Sequence, residues 1–187
     1  MNNLKDILNK FAKDVVRDSK RNLTRLKKRS SGSLHKSIGY DLNVSRNSFS
    51  LEFLMEQYGI FVDEGVKGAN PSKVSPNARI RGQQAPNSQY RFGSGKVKNY
   101  KGFIKSLEKW IAKKNLRFRD EKGKYKKGNR KALTHVIAGN IYNRGIKPSL
   151  FFTKPFEKHF KNLPDELLEK YGLEIEEFIE HTLKELK

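Results

Sequence analysis

The hydrophobic period of this chain changes once within its first third, and that change constrains the fold more than any other feature. Leu4, Ile7, Leu8, Phe11, Val15, Leu23 and Leu26 recur every three to four residues, the spacing of one stripe on a helix from about Asn3 to Lys28. The other face carries Lys5, Lys10, Arg17, Lys20, Arg21, Arg25 and Lys27. The stretch Arg-Ser-Ser-Gly-Ser at 29 to 33 supplies a breaker and a hinge. Beyond it the period drops to two, through Ile38, Tyr40, Leu42 and Val44 and then Phe49, Leu51, Phe53 and Met55, with Arg46, Asn47 and Ser48 between the runs. Such alternation on both sides of a short polar link predicts a β-hairpin with one apolar face. The expected fold class is therefore α+β, a small antiparallel sheet packed against several helices, with a long basic loop insert and a C-terminal helix.

Tyr58, Phe61 and Val62 stand at helical spacing before Gly65 and predict a short helix stopped by a glycine cap. From Gly65 to Lys101 periodicity vanishes. That segment has no acidic residue and eight cations, Lys67, Lys73, Arg79, Arg81, Arg91, Lys96, Lys98 and Lys101, and a stretch of this length reads as a binding loop or a disordered insert. Phe103, Ile104, Leu107, Trp110 and Ile111 restore a helical stripe. Residues 112 to 131 are again strongly basic, with Leu116, Phe118 and Tyr125 around Asp120-Glu121-Lys122-Gly123 predicting a small exposed hairpin. Ala132, Leu133, Val136, Ile137 and Ile141 define a helix from about Asn129 to Asn143, ended by Gly145 and barred from continuing by Pro148. Ile146 to Phe156 should be extended and bury Phe151 and Phe152. Pro164, with Asp165 and Glu166 in the first turn, opens a last helix reaching about Leu186. The domain reading is one α+β domain over 1–162, with its basic insert at 66–101, followed by an acidic C-terminal helix at 163–187.

Forty Lys and Arg against 20 Asp and Glu leave a net charge of +20, which attracts nucleic acid and other polyanions. Residues 163–187 carry −5 and residues 1–162 carry +25, so the acidic tail is expected to pack on basic surface, its own or a neighbouring subunit's. The absence of cysteine excludes disulfides, thiolate metal sites and a cysteine nucleophile. No apolar run approaches the roughly 18 residues needed to cross a bilayer. The expectation is a soluble chain without a cleavable signal and with no membrane partner.

His35, His135, His159 and His181 never fall at metal-ligand spacing and read as ordinary surface or boundary residues. Glu176 with Glu177, or Asp120 with Glu121, lies in solvated, charge-rich surroundings unsuited to an acid-base pair. Gly93-Ser94-Gly95-Lys96 lacks the rest of a phosphate loop, and neither a nucleophile elbow nor a dinucleotide fingerprint is present. No catalytic residue, metal or cofactor is expected, and the chain does not read as an enzyme. Tyr90, Phe92 and Tyr100 interleave with Arg91, Lys96 and Lys98 in the manner of a groove that meets phosphates and bases. Without a helix-turn-helix, zinc-finger, RNP or KH pattern, such contact would be to the backbone.

Two blocks carry a resemblance. Glu56-Gln57-Tyr58-Gly59-Ile60-Phe61-Val62-Asp63-Glu64-Gly65 is similar to the Tyr, Phe-Val-Asp, Gly block of the head-tail joining or tail completion (neck) proteins of tailed bacteriophages, and Asn143-Arg144-Gly145-Ile146-Lys147-Pro148-Ser149-Leu150-Phe151-Phe152 resembles the Arg-Gly-Ile-x-Pro-x-x-Phe-Phe element of the same group. Their order also agrees, with the hairpin start Leu34-His35-Lys36-Ser37-Ile38 ahead of the first block and a helix, here from Phe156 onward, after the second. The long insert and the 163–187 helix depart from the short family pattern. The resemblance implies a structural virion protein without catalysis, a homo-oligomeric ring at the neck or tail that joins portal to tail, assembled in the host cytoplasm. Its implied partners are other neck, portal and tail proteins, and DNA through backbone contact. Within that picture Phe61 and Val62 anchor the short helix under the sheet, Asp63 or Glu64 faces a basic neighbour, and Gly65 turns the chain into the insert. Gly145 and Pro148 fix a sharp exit, while Phe151 and Phe152 plug the core. The competing reading, a non-specific nucleic-acid-binding or packaging protein acting as a monomer or dimer, accounts for the charge but not for the two blocks.

Overall fold

The apolar stripe of the first residues becomes helix α1, Asn2–Arg25, in a computed structural model that describes residues 2–28, 31–45, 48–74, 80–93, 100–120, 122–165 and 167. Leu8, Phe11, Ala12, Val15 and Leu23 are buried along that stripe. The polar stretch after it includes a helical turn that periodicity did not foretell, α2, Ser33–Ser37, entered through Gly32 and burying Leu34. The hairpin forms as expected from strands β1, Gly39–Val44, and β2, Phe49–Leu54, antiparallel with Gly39 opposite Leu54 and Val44 opposite Phe49. Tyr40, Leu42, Phe49, Leu51 and Phe53 pack into or against the core, while Asp41, Asn43, Ser50 and Glu52 are exposed. Helix α3, Gly59–Asp63, follows.

The chain divides into two compact units, residues 1–64 with 149–187 and residues 65–148. In the first unit α1 packs against the hairpin and against helix α6, Thr153–Phe160. Phe152, Phe156 and Phe160 recur every four residues, and Phe11 and Phe53 meet that stripe edge-on, with centroids 5.5 Å apart for Phe11 and Phe156 and 5.3 Å for Phe53 and Phe152. His159 Nε2 lies 2.9 Å from Asp18 Oδ2 of α1, so this histidine is a half-buried polar clip between the two helices. The expected extended run to Phe156 instead breaks at Leu150, whose φ is +49°, and gives way to a turn at Phe151 and Phe152 before α6. Leu163 and Leu167 are buried, and the expected helix to Leu186 lies, beyond Leu167, outside the described residues.

The second unit has its own smaller core. Helix α4, Tyr100–Lys113, packs on helix α5, Arg130–Arg144, through Leu107, Ile111 and Ala138, with Ile104, Trp110, Leu133, Ile137 and Ile141 around them. The Asn129 side chain caps α5 by accepting from the Lys131 N–H at 2.9 Å. Two short strands, β3 (Val66–Lys67) and β4 (Gly145–Ile146), pair antiparallel. With six helices beside two-stranded antiparallel sheets among the described residues, the fold is α+β.

Candidate nucleic-acid interface

The two sequence blocks meet in space. Val62 O accepts from the Ser149 N–H at 3.2 Å and the Ser149 hydroxyl at 2.6 Å, and Asp63 O accepts from the Ser149 and Leu150 N–H groups, both at 3.0 Å. The Asp63 carboxyl is fully buried and accepts from the Phe152 N–H at 2.8 Å, from the Thr153 N–H at 3.4 Å and from the Thr153 hydroxyl. Because Phe152 offers no side-chain cap of its own to α6, Asp63 supplies it from the other block. Of the pair expected to offer a carboxylate to a basic neighbour, Asp63 or Glu64, Asp63 is thus turned into the core. Burial pushes its carboxyl above the ordinary range, and the Thr153 hydroxyl and the N–H groups of Phe152, Thr153 and Phe151 pull it back only in part.

The anchoring roles also shift by one residue. Ile60 is buried and Val62 packs on the core, whereas Phe61 is 41% exposed, so Phe61 does not lie under the sheet. A five-residue helix has one inward face, and Ile60 and Asp63, three apart, take it. Tyr58 is half in solvent, its hydroxyl accepting from the Leu34 N–H at 3.0 Å. Phe151 and Phe152 are fully buried, as expected of core plugs.

Gly65 and Gly145 do what the spacing implied. Gly65 has φ +74°, and a Cβ there would lie 2.7 Å from Pro148 N. Gly145 has φ +93°, and its added Cβ would run into Val66 O. Ile146 pairs with Val66, and Arg144 gives its carbonyl to the Gln84 N–H at 2.9 Å while its Nε is buried without a hydrogen-bond partner among the described residues.

The described parts of the insert are laced together from within. Lys67 N–H donates to Tyr90 O and Phe92 N–H to Lys67 O, at 2.7 and 2.9 Å. Gln83 bonds the Gly68 backbone through both ends of its amide, and the Ser88 hydroxyl donates to Gly65 O at 2.8 Å. These side chains are thus spent on the loop itself. Lys67 is half-buried. Lys73, Arg81, Arg91 and Lys101 are exposed, and Arg91 Nη2 donates to Ala69 O at 3.4 Å. Arg79, Lys96 and Lys98 lie outside the described residues.

Division of the charge by unit is sharper than its division by sequence. Residues 65–148 hold 22 Lys and Arg against three acids, a net +19, leaving 18 against 17 in the rest of the chain. Sequence reasoning noted the basic run at 112–131 but drew no site from it. The missed signal is the alternation Arg117-Phe118-Arg119 opposite Tyr125. Phe118 occupies the space a Cβ on Gly128 would need, and the two arginines stand over the Tyr125 ring, with Cζ to centroid distances of 5.8 and 4.5 Å.

Among the described residues no group of three or more His, Asp or Glu is arranged to hold a metal ion, and no helix is long and apolar enough to cross a membrane. No family model matches the chain, and no curated protein and no solved structure is measurably similar to it.

Proposed function

We propose that the chain is a structural subunit of a tailed-bacteriophage virion, assembling as a ring at the junction of portal, neck and tail and connecting capsid to tail. The observation that supports this reading is the union of the two blocks: the Asp63 carboxyl caps the helix that follows Phe152. That bond gives the order and spacing of the blocks a physical reason, since each is incomplete without the other. The body they close has a charge near zero, so the surplus by which like subunits repel one another is carried almost wholly by residues 65–148.

A second reading is favoured by a separate observation, the concentration of +19 in residues 65–148. In that reading the chain binds nucleic acid non-specifically as a monomer or dimer. Negative-stain imaging and mass photometry of the purified chain separate the two. Closed rings are expected, weakened by high salt and by truncation after Leu168, a cut that removes acidic residues of the tail while sparing the buried Leu163 and Leu167. A species that stays monomeric or dimeric at every concentration and still binds DNA leaves the second reading standing alone.

A further inference from the structure

Ten of the 22 cations of residues 65–148 fall between Lys113 and Lys131, with Asp120 and Glu121 the only acids in that run. Between α4 and α5, residues 118–120 pair with residues 124–126. Arg119 bridges Tyr125 in antiparallel fashion, Lys126 N–H donates to Phe118 O at 2.9 Å, and Asp120 N–H donates to Lys124 O at 2.9 Å. The Asp120 carboxylate is occupied within the turn, accepting from the Lys124 N–H at 2.8 Å. It forms no ion pair with the lysines around it; among the described residues Lys122, Lys124, Lys126, Lys127, Arg130 and Lys131 have no ion pair, the ion pairs there joining Asp14 and Asp18 to Arg17, Lys158 and His159.

Tyr125 is 64% exposed, the most exposed large hydrophobic side chain of the described chain. It is not idle. Its hydroxyl accepts from Arg119 Nη2 at 3.1 Å, while Arg119 Nη1 donates to Gly123 O at 2.9 Å. The guanidinium of this exposed arginine is thus held in place with two of its five donors used. A guanidinium ordered in advance loses less entropy when it meets a phosphate oxygen than a free one does.

We propose that residues 117–120 and 122–127 form a DNA-gripping tip, in which Arg117 and Arg119 steadied on Tyr125, together with the flanking lysines, bind the phosphate backbone of duplex DNA. Charge complementarity selects this partner over an acidic protein. Seven of the ten cations are lysines, a residue type depleted from protein interfaces, and the tip offers one exposed aromatic in place of the apolar centre such an interface needs. In the described part of the insert at 66–101, Gln83 and Ser88 are bonded to the loop's own backbone. The assignment rests on the reading that the partner is a polyanion, and it does not require the ring.

The test uses the full chain and the fluorescence anisotropy of a short labelled duplex across a range of potassium chloride. In the variant R117S/R119S/K124S/K126S the slope of log affinity against log salt should fall by about 3.6 if all four side chains meet phosphates, with affinity at moderate salt down roughly tenfold or more. A charge-matched control in α1, K5S/K10S/K13S/R21S, should change affinity by less than about twofold. Equal losses in the two variants, or no loss in the first, would overturn the tip. So would retention of DNA affinity with lost binding to polyglutamate, which assigns the tip to an acidic protein. Mass photometry of the same samples reports the ring separately, so its absence sinks the ring alone, whereas a wild-type chain that ignores DNA sinks the tip.

Discussion

Asp63 and Asp18 both serve helix α6, and their surroundings push them in opposite directions. For Asp63 burial dominates and raises the carboxyl above its ordinary value of 3.8. A folded state that holds this proton more tightly than the unfolded chain is most favoured below that value and loses the contribution as pH rises through the raised one. Asp63→Asn should therefore flatten the decline of stability with rising pH, and Asp63→Ala should cost about 1–3 kcal/mol for each N–H it orphans. For Asp18 burial also pushes upward, but hydrogen bonds with His159 and Arg17 win and hold it below 3.8. Its contribution is present above that value and is lost as pH falls through the lowered one, so Asp18→Asn should flatten the acid limb only. Urea denaturation at a series of pH values checks both, and identical pH profiles in the two variants would refute the assignment. Neither role was legible in the sequence, because each depends on a partner far along the chain, 89 residues from Asp63 to Phe152 and 141 from Asp18 to His159.

Elements whose cause is local were legible almost to the residue. Helix α1, the hairpin of β1 and β2, and α5 follow from periodicity and from stop signals in or just beyond each element, and α4 from its stripe alone, its first two residues having read as loop. Helix α2 was not, because five residues give too few turns to show a period, and the start of α6 was not, because its cap comes from Asp63. The same logic sorts substitutions. Phe156 touches Phe11, Phe53, Phe152 and Phe160, so Phe156→Ala should cost about 3–5 kcal/mol. Gly65→Ala combines left-handed backbone with a clash against Pro148, and the strain alone is worth about 1–2 kcal/mol. Gly139, inside α5 with nothing within 4 Å of an added Cβ, should accept alanine with a gain of about 0.5–1 kcal/mol. Thermal melts that rank the three otherwise would contradict these packing assignments.

At the scale of the whole molecule, the chain leaves the first unit after Glu64 and returns to it at Ser149. The N–H of Ser149 reaches both Val62 O and Asp63 O, so the two cut ends are already adjacent. Replacing residues 65–148 with a short Gly-Ser link should leave the phenylalanine core folded, with a cooperative melt, and should abolish the DNA binding proposed above together with the charge that would drive it. Loss of cooperative unfolding in that deletion would show that the first unit depends on the second. The sequence located the charge surplus in residues 1–162 but not its confinement to an excursion, because the seam that defines the excursion joins residues 87 apart. The one tryptophan of the chain, Trp110, packs against the core of the second unit, while the first is lined with phenylalanines. Excited selectively, that indole is a fluorophore reporting on residues 65–148 alone, so the proposed binding of duplex DNA there can be tested by its emission on the native protein without any label.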